Sequence, residues 1–514
     1  MDIKKILFPA LLIGGALGIR RLLNAKTAQR NQASNATSYD AVDTYVERQM
    51  HRLHIPGLSL AIIEGDKIVH QSGFGRARPG GEVPTAQTPF FIGSLTKSIT
   101  ALAVMQLVEG GKVELDAPIQ RYLPWFRVAD LDASAQMTVR HLLNQTSGFS
   151  FMISQLILAE LDNRPDATER QVRALSGLKT NPVGEKWEYC NVNYNILGLI
   201  VETCSGESYA DYIQNHIFNP LQMSHSYSSK ATAQQNGLAK GHRHWFSFPF
   251  PAPDLPVPLG SLPSGQLIST AEDIAHYLIA HINEGRFGNM QILSADGIDE
   301  LHRGVAEVTF MGTSKGKYGM GWFDIDMGQT KTFSHGGNVP DFSAYMALVP
   351  EQEKGMVMLL NADPYGLPMI TEELGLGVTA LLAGRQPAPI KLDFIQWIMR
   401  LLPLIPLLQV VGVATTLHTL RQWVRVPALR PSNVRIWTQH ILFPLVPNLS
   451  LAAILVFLRS NGLIRFMHLF MPDLAWIARI CGGFATVWAF LRTGLMLQTL
   501  RKSWDSNTRM EDTN

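Results

Sequence analysis

Long uncharged apolar stretches occupy the C-terminal part of the chain, whereas polar and apolar positions alternate in its centre. Residues 401–420 and 440–458 contain no Lys, Arg, Asp or Glu and are long enough to cross a bilayer, which takes about 20 apolar residues. A third stretch, 474–491, contains Arg479, a residue that is costly at mid-bilayer. We predict a membrane region at 387–514 with about three transmembrane helices. The alternative is that the three stretches are buried helices of a soluble domain.

The N-terminal segment, residues 1–37, carries a shorter apolar stretch. Residues 6–19 are all apolar or glycine and lie between a pair of lysines and a pair of arginines. This length is typical of the core of a signal sequence, and no clear small-x-small cleavage site follows it. We predict an uncleaved signal anchor followed by a linker, with a cleaved signal peptide as the alternative.

The centre, residues 38–386, mixes the periodicities of helices and strands. Apolar residues recur at helical spacing over 42–53, and residues 57–75 predict two strands around a Gly65-Asp66 turn. Helical stretches separate these early strands from a late set. Strands from both ends of a domain commonly join one sheet with helices packed on it. We therefore predict an α/β fold with one antiparallel sheet, whose late strands are 318–326, 331–335, 342–350 and 355–363.

Charge is distributed unevenly, although the net charge of the chain is only +2 and 17% of its residues are charged. The centre holds 25 basic and 36 acidic residues, whereas both ends are basic. An acidic centre argues against nucleic-acid binding and fits a water-soluble body tied to a membrane. The loop 421–435 carries four arginines and no acid, which predicts a cytoplasmic loop and an extracytoplasmic body. Three cysteines are too few for a disulfide framework.

Candidate chemistry begins at Ser94-Leu95-Thr96-Lys97, where a turn after Gly93 enters an apolar helix. Three-residue spacing places Lys97 one turn beyond Ser94 on the same helix face. A serine hydroxyl is a weak nucleophile until a base takes its proton, and a lysine in apolar surroundings has a lowered pKa. The pattern alone is weak, because Ser176-Gly177-Leu178-Lys179 has the same form.

Two further motifs follow in order. Their presence favours the Ser-x-x-Lys motif at Ser94, rather than its duplicate at Ser176, as the catalytic motif. Tyr189-Cys190-Asn191 follows a Pro-x-Gly turn and precedes an apolar helix, and we place its phenol and amide on a loop. His335-Gly336-Gly337 stands at the end of a predicted strand, whereas the similar His302-Arg303-Gly304 lies in a helical context.

With these motifs the chain resembles the β-lactamase-related serine hydrolases, which include class C-type β-lactamases, D-alanyl-D-alanine peptidases, D-aminopeptidases and family VIII esterases. Their motif order is Ser-x-x-Lys, Tyr-x-Asn and Lys/His-x-Gly. The resemblance covers about 345 residues, essentially the whole centre. It implies a β-lactamase/transpeptidase-like antiparallel sheet flanked by helices, with an all-helical subdomain. Accessory stretches agree with it, namely 141–149, 181–202, 265–278 and 318–323.

The resemblance also implies roles for individual residues. Ser94 would form an acyl-enzyme, and Lys97 and Tyr189 would share the proton transfers, with the identity of the base left open. The resemblance implies no metal and no cofactor. The remaining roles are substrate binding and oxyanion stabilisation. Asn191 would bind Lys97 or the substrate amide, His335 would bind the substrate carboxylate, and Gly337 would let the backbone pass close to the substrate. The backbone N–H groups of Ser94 and Asn338 would form the oxyanion hole.

Three features depart from the family pattern or leave alternatives open. Cys190 replaces a small residue and is either a buried thiol or a redox-sensitive group. His335 replaces the lysine of the β-lactamase subgroup, which disfavours an efficient β-lactamase and predicts binding that depends on pH near 6.5. The proline-rich loop 249–263 is either a structural excursion or an apolar rim for a lipid-like or aromatic acyl substrate.

Together these features predict a membrane-anchored, multi-pass serine hydrolase of the cell membrane with an extracytoplasmic catalytic domain. Its substrate would be a small molecule or peptide with an amide or ester bond, of the D-amino-acid peptidase or esterase type. The alternatives are a β-lactamase and a non-catalytic, penicillin-binding-like sensor or scaffold at the cell envelope. We predict contact with the lipid bilayer and none with nucleic acid, and the sequence leaves the oligomeric state open.

Overall fold

An eight-stranded antiparallel sheet organises the centre of the protein. The computed structural model describes residues 39–310, 313–328, 330–391 and 393–511, so the predicted signal anchor lies outside the described residues. Contacts group residues 41–514 into one compact unit. The strands are β1 Gly57–Glu64, β2 Lys67–Gly75, β3 Phe90–Phe91, β4 His242–Trp245, β5 Phe248–Pro251, β6 Ile268–Ser269, β7 Arg286–Phe287, β8 Met290–Gln291, β9 Ala306–Phe310, β10 Thr313–Tyr318, β11 Phe323–Asp326, β12 Lys331–Val339, β13 Phe342–Val349 and β14 Lys354–Leu360.

Helices cover the sheet and make up the C-terminal region. Between β3 and β4 the described chain is helical, which confirms the predicted helical subdomain. The helices are α1 Asp40–Leu53, α2 Thr96–Glu109, α3 Leu131–Gln136, α4 Val139–Leu143, α5 Phe151–Leu158, α6 Ala167–Arg173, α7 Asn191–Ser205, α8 Tyr209–Ile213, α9 Lys230–Gln235, α10 Leu262–Gly265, α11 Ala271–Ile282, α12 Ala295–His302, α13 Pro368–Leu382, α14 Asp393–Leu401, α15 Leu404–Arg425, α16 Asn433–Arg435, α17 Phe443–Ser460, α18 Leu463–Phe470 and α19 Pro472–Glu511.

The order of the strands confirms that early and late segments share one sheet. The order is β2-β1-β14-β13-β12-β11-β10-β9, so β1 pairs with the last strand, with Leu60 opposite Met358. The predicted hairpin at 57–75 is present, and Gly65 in its turn has a φ of +56°.

The predicted strand at 318–326 is wrong, because the chain turns in its middle. β10 ends at Tyr318, β11 begins at Phe323, and the two strands pair with each other. The turn contains Gly321, whose φ is +82°, and a Cβ atom there would lie 2.7 Å from the Cα atom of Ser98. A glycine therefore lets this turn pack directly on α2. The predicted strand at 331–335 is longer in the structure, because β12 stays paired with β13 up to Val339.

Helix α2 lies at the centre of the core. Eleven of its fourteen residues are buried, among them Lys97, and the helix packs against α7, α10 and α12. A helix that is apolar on all sides belongs in the interior of a protein. The 3₁₀ turn Gly93–Leu95, which leads into α2 and carries Ser94, packs against β12.

Three C-terminal helical segments are long and apolar enough to cross a membrane. They comprise residues 394–425, 433–460 and 472–501, and each contains one of the predicted spans. Many of their large apolar side chains are exposed, including Leu408, Phe443 and Phe490. Helices buried in a soluble domain would cover such side chains, so the pattern indicates membrane association.

Candidate active site

Ser94 and Lys97 meet at the start of α2. Ser94 lies on a single 3₁₀ turn, Gly93–Leu95, that runs directly into the helix. Lys97 Nζ lies 2.9 Å from Ser94 Oγ and donates a hydrogen bond to the carbonyl oxygen of Ser264 at 2.6 Å. The predicted pairing of these two side chains on one helix face is therefore present in the structure.

The surroundings of Lys97 favour its neutral form. The side chain is completely buried, and its ammonium position lies 4.9 Å from the ring centre of Tyr189 and 5.7 Å from that of Tyr194. Burial lowers the pKa of Lys97 well below its ordinary value, because a charged ammonium loses its hydration there. A neutral amine within hydrogen-bond distance of a serine hydroxyl is able to take its proton.

Tyr189 lies beside the same pair on the segment before α7. Burial, followed by the neighbouring Tyr318 phenol, raises the pKa of Tyr189 well above its usual value, and a hydrogen bond with Ser94 opposes this shift. The phenol is therefore protonated where Lys97 is neutral. Its ring lies in an aromatic cluster, with centroid distances of 6.3 Å to Trp187, 6.4 Å to Tyr318 and 6.1 Å to His335.

Asn191 is the first residue of α7 rather than a loop residue. Its Oδ1 atom is buried and has no hydrogen-bond partner within the described part of the chain, so the alternative in which this oxygen binds Lys97 is not realised here. A buried carbonyl oxygen without a donor is costly. The other alternative, in which Asn191 binds an amide of the substrate, provides that donor.

A buried amide network that the sequence did not reveal holds the segment around Tyr189. Gln145 has a φ of +59°, and its Oε1 atom accepts hydrogen bonds from the Cys190 backbone N–H at 2.9 Å and from Asn193 Nδ2. Ser147 Oγ donates to Asn193 Oδ1 at 2.6 Å. Gln145 and Ser147 belong to the accessory stretch 141–149, whose family resemblance was the available signal.

Cys190 is fully buried beneath this network. Burial raises the pKa of its thiol to about 12, so the reactive thiolate is not populated at neutral pH. Of the two alternatives for Cys190, the structure favours the buried thiol.

His335 lies inside β12 and is 2% exposed. Its Nδ1 atom donates to the carbonyl oxygen of Gly336 at 2.6 Å, and its Nε2 atom lies 3.3 Å from the Tyr318 hydroxyl. Both ring nitrogens are therefore engaged within the protein. Burial is the main cause that lowers the pKa of His335 to about 3. The expected titration near 6.5 is thus wrong, because desolvation disfavours the imidazolium form.

Two glycines bring β12 against the turn that carries Ser94. A Cβ atom on Gly93, whose φ is +55°, would lie 2.5 Å from the backbone nitrogen of Asn338, and a Cβ atom on Gly337 would lie 2.1 Å from the carbonyl oxygen of Ile92. Because Gly337 has no side chain, the two backbone segments are able to approach each other closely. The same approach brings the turn before Ser94 beside the Asn338 N–H, as the predicted oxyanion hole requires. The Asn338 side chain points away from this role and donates to Asp363 Oδ1 at 2.8 Å.

A cavity of about 340 Å³ is lined in part by residues that neighbour the site in sequence. Its lining includes Gln266, two residues after Ser264 in the sequence. It also includes Val339, the residue directly after Asn338. The proline-rich residues 252–258 form one wall, and Leu158 and Phe342 contribute apolar surface. Part of the loop 249–263 thus forms a wall of a cavity.

The second copies of the Ser-x-x-Lys and His-x-Gly motifs have different surroundings from the first copies. Ser176 and Lys179 are exposed on and just after a 3₁₀ turn. His302 ends α12, where its ring stacks on Phe333 at 4.4 Å. Among the described residues, no group of three or more His, Cys, Asp or Glu side chains is arranged to hold a metal ion.

Comparisons with known proteins identify relatives of this chain. The chain is 28% identical over 341 residues to Protein flp of Staphylococcus aureus strain MW2, which covers 66% of each protein. It therefore spans just under two thirds of the length of that relative. It is 30% identical over 319 residues to penicillin-binding protein 4 of Amycolatopsis lactamdurans, covering 60% of this chain and 81% of the relative.

A solved structure has the same fold. The octameric penicillin-binding protein homologue from Pyrococcus abyssi superposes with a TM-score of 0.61 at 28% sequence identity, covering 68% of this chain and 78% of the other. The Beta-lactamase family model matches residues 42–374. This match spans well over half of the chain and includes every predicted site residue, so the chain belongs to the β-lactamase family.

Proposed function

We propose that the protein is a serine hydrolase that works through an acyl-enzyme on Ser94. The observation that carries this proposal is the fully buried Lys97, whose amine lies 2.9 Å from Ser94 Oγ and whose pKa is lowered by burial. Lys97 takes the Ser94 proton as Oγ bonds to the acyl carbon, and its lowered pKa supports it over Tyr189 as the base. The N–H groups of Ser94 and Asn338 stabilise the oxyanion, a term worth roughly 3–4 kcal/mol per donor.

The second half of the first step releases the leaving group. Tyr189, whose raised pKa keeps it protonated, relays a proton from Lys97 to the leaving nitrogen or oxygen as the bond to the acyl carbon breaks. Attack by water on the acyl-enzyme then reverses these transfers and regenerates Ser94. His335 acts as a positioning residue for Tyr318 in this scheme, because both of its nitrogens are engaged.

The substrate class that we propose is an amide or ester of the D-amino-acid peptidase or esterase type. The unpartnered Asn191 Oδ1 atom supports a substrate that offers an N–H group, and the cavity beside residues 252–258 has room for an acyl substituent. The relatives named as penicillin-binding proteins point in the same direction.

Covalent labelling tests the proposal directly. The full-length protein is treated with a fluorescent fluorophosphonate and, separately, with a fluorescent penicillin. We expect phosphonate labelling of the wild type that is lost in Ser94→Ala and kept in Ser176→Ala, which alters the exposed duplicate motif. Penicillin labelling would narrow the substrate to D-Ala-D-Ala-like peptides. A folded wild type that neither probe labels would refute the proposal and favour a non-catalytic sensor or scaffold.

We further propose that the three C-terminal helices anchor the protein and hold its hydrolase domain outside the cytoplasm. The loop between the first two helices carries four arginines and no acid between residues 421 and 435, which fits a cytoplasmic position. Reporters fused after residue 386 and after residue 430 test this topology. We expect them on opposite sides of the membrane, and the same side for both would contradict it.

A further inference from the structure

An exposed apolar surface on the β4–β5 hairpin and at the start of the first candidate membrane segment is unexplained by the catalytic site. It consists of two side chains on β5 and four on α14, and we call it the aromatic patch. Phe394 is 75% exposed, Trp397 is 61% exposed and Phe250 is 52% exposed. Contiguous exposed apolar side chains of this size mark a surface that contacts something. The aromatic patch comprises Phe248, Phe250, Phe394, Trp397, Ile398 and Leu401.

Helix α14 turns its apolar face outward. The four exposed apolar positions, 394, 397, 398 and 401, recur at the spacing of one helix face. The opposite face carries Gln396, which is buried and whose Nε2 atom donates to the carbonyl oxygen of Arg52 at 2.8 Å and to the Tyr365 hydroxyl at 2.9 Å. The buried side of α14, which carries Gln396 and Met399, is thus fixed to the hydrolase domain, and its four exposed apolar side chains face away from it.

The β4–β5 hairpin is tied to the beginnings of two candidate membrane helices. Ser247 in its turn donates to the carbonyl oxygen of Gln396 at 3.2 Å, close to the start of the first segment. The backbone N–H of Phe246 donates to Asp473 Oδ2 at 3.0 Å, at the start of the third segment. The tip of the hairpin therefore lies at the level where these helices would enter the bilayer.

The lengths of the helices place the aromatic patch at the edge of the hydrocarbon core. α15 alone has 22 residues, which span about 33 Å at 1.5 Å per residue and match a core of about 30 Å. α14 precedes α15 and is separated from it by two residues, so it lies just outside that core. The Arg400 guanidinium lies 5.8 Å from the Phe248 ring centre, and aromatic and basic side chains together are typical of the membrane interface.

We propose that the aromatic patch lies in the interfacial layer of the bilayer and that the cavity walled by residues 252–258 receives an amphiphilic ester or amide from the membrane for reaction at Ser94. This inference rests on the proposed anchoring and hydrolase activity. β5 runs directly into residues 252–258, which form a wall of the cavity. α5, which ends with the cavity residue Leu158, packs against α18 between the second and third segments. Two walls of the cavity are therefore connected to the membrane end of the molecule.

Lipid quenching tests the contact with the bilayer independently of any enzymatic activity. Phe250→Cys is prepared in a Cys204→Ser background, because the other two cysteines are buried, and is labelled with an environment-sensitive fluorophore. The control is Met290→Cys, whose parent side chain is 49% exposed on a hairpin against α11. In phosphatidylcholine vesicles with doxyl-labelled lipid we expect quenching at residue 250 and none at 290. Equal quenching at the two positions, or none at 250, would overturn the bilayer contact.

A pair of probes tests the route of the substrate. The double variant Phe248→Ser/Phe250→Ser in phosphatidylcholine vesicles is compared with the wild type, using a long-chain fluorophosphonate dissolved in the vesicles and a short water-soluble one. We expect long-chain labelling to slow by about tenfold, the order expected for removing large apolar side chains from an apolar environment, with unchanged short-probe labelling. Unchanged long-chain labelling would overturn the route. A wild type that neither probe labels would refute the hydrolase proposal itself, while the quenching result would stand.

Discussion

Gly337 in β12 faces the carbonyl oxygen of Ile92 so closely that a Cβ atom would lie only 2.1 Å from it. Both partners are backbone, so no side chain is able to move aside. This contact seats the turn that carries Ser94 against the strand that carries Asn338. It is therefore the point at which the proposed nucleophile and the second proposed oxyanion donor are brought together.

We expect Gly337→Ala to abolish fluorophosphonate labelling and to lower the free energy of unfolding by about 1–3 kcal/mol, the usual cost of overpacking. Gly336→Ala is the matched control, because its Cβ atom would lie 3.1 Å from the Cγ atom of Glu372, an exposed and flexible side chain. Thermal unfolding of the detergent-solubilised protein and labelling rates measure both effects. Equal losses in the two variants would contradict the contact as the cause.

The identity of the base determines how the labelling rate depends on pH. With neutral Lys97 as the base, the rate of Ser94 labelling rises as pH increases through the lowered pKa of Lys97 and then stays level. The raised pKa of Tyr189 places its deprotonation above about pH 10. A rate that continued to rise through pH 10 would indicate a Tyr189 phenolate as the base instead. Lys97→Met should slow labelling by about 10²–10⁴-fold.

Tyr189→Phe separates the hydroxyl of this residue from its ring. The ring packs among Trp187, Tyr318 and His335, and phenylalanine retains that packing. We expect turnover of an amide substrate to fall by about 10²–10⁴-fold because the leaving amine loses its proton donor. Phosphonate labelling with a fluoride leaving group, which needs no proton, should fall much less. Equal losses in the two assays would assign the initial proton abstraction to Tyr189.

Sequence patterns predicted the paired ends of the sheet and the three apolar helices because each depends on local periodicity. The two residues of the Ser-x-x-Lys motif were also predicted, since helical spacing alone places Lys97 beside Ser94. The carbonyl of Ser264, which accepts from Lys97, was not predicted, because it lies 167 residues away in sequence and uses a backbone atom. The pKa of His335 was not predicted either, because its burial depends on residues that are distant in sequence. Burial lowers this pKa below the value that the residue type suggests.

A buried ion pair outside the site joins the hairpin to the sheet. Arg243 on β4 makes two hydrogen bonds to Asp341, of 2.5 and 2.9 Å, and the two side chains are 11% and 6% exposed. Arg243→Met leaves the Asp341 carboxylate buried without a partner, which typically costs about 3–5 kcal/mol. Arg243→Met/Asp341→Asn should recover most of this loss, because asparagine tolerates the φ of +74° at this position. Thermal unfolding of both variants measures the difference, and an equally unstable double variant would contradict the explanation.

Buried neutral histidines should make the protein unstable in acid. Burial lowers the pKa of His302 and His335 to about 3 and that of His244 to about 4. In the unfolded chain these histidines have a pKa of about 6.5. Below that pH the unfolded state binds more protons than the folded state, so stability decreases as pH falls from about 6.5 to 4. Each histidine contributes a slope of up to about 1.4 kcal/mol per pH unit. His302→Gln, away from the catalytic pair, should make the fall in melting temperature between these pH values shallower. An unchanged slope would show that His302 is protonated in the folded state.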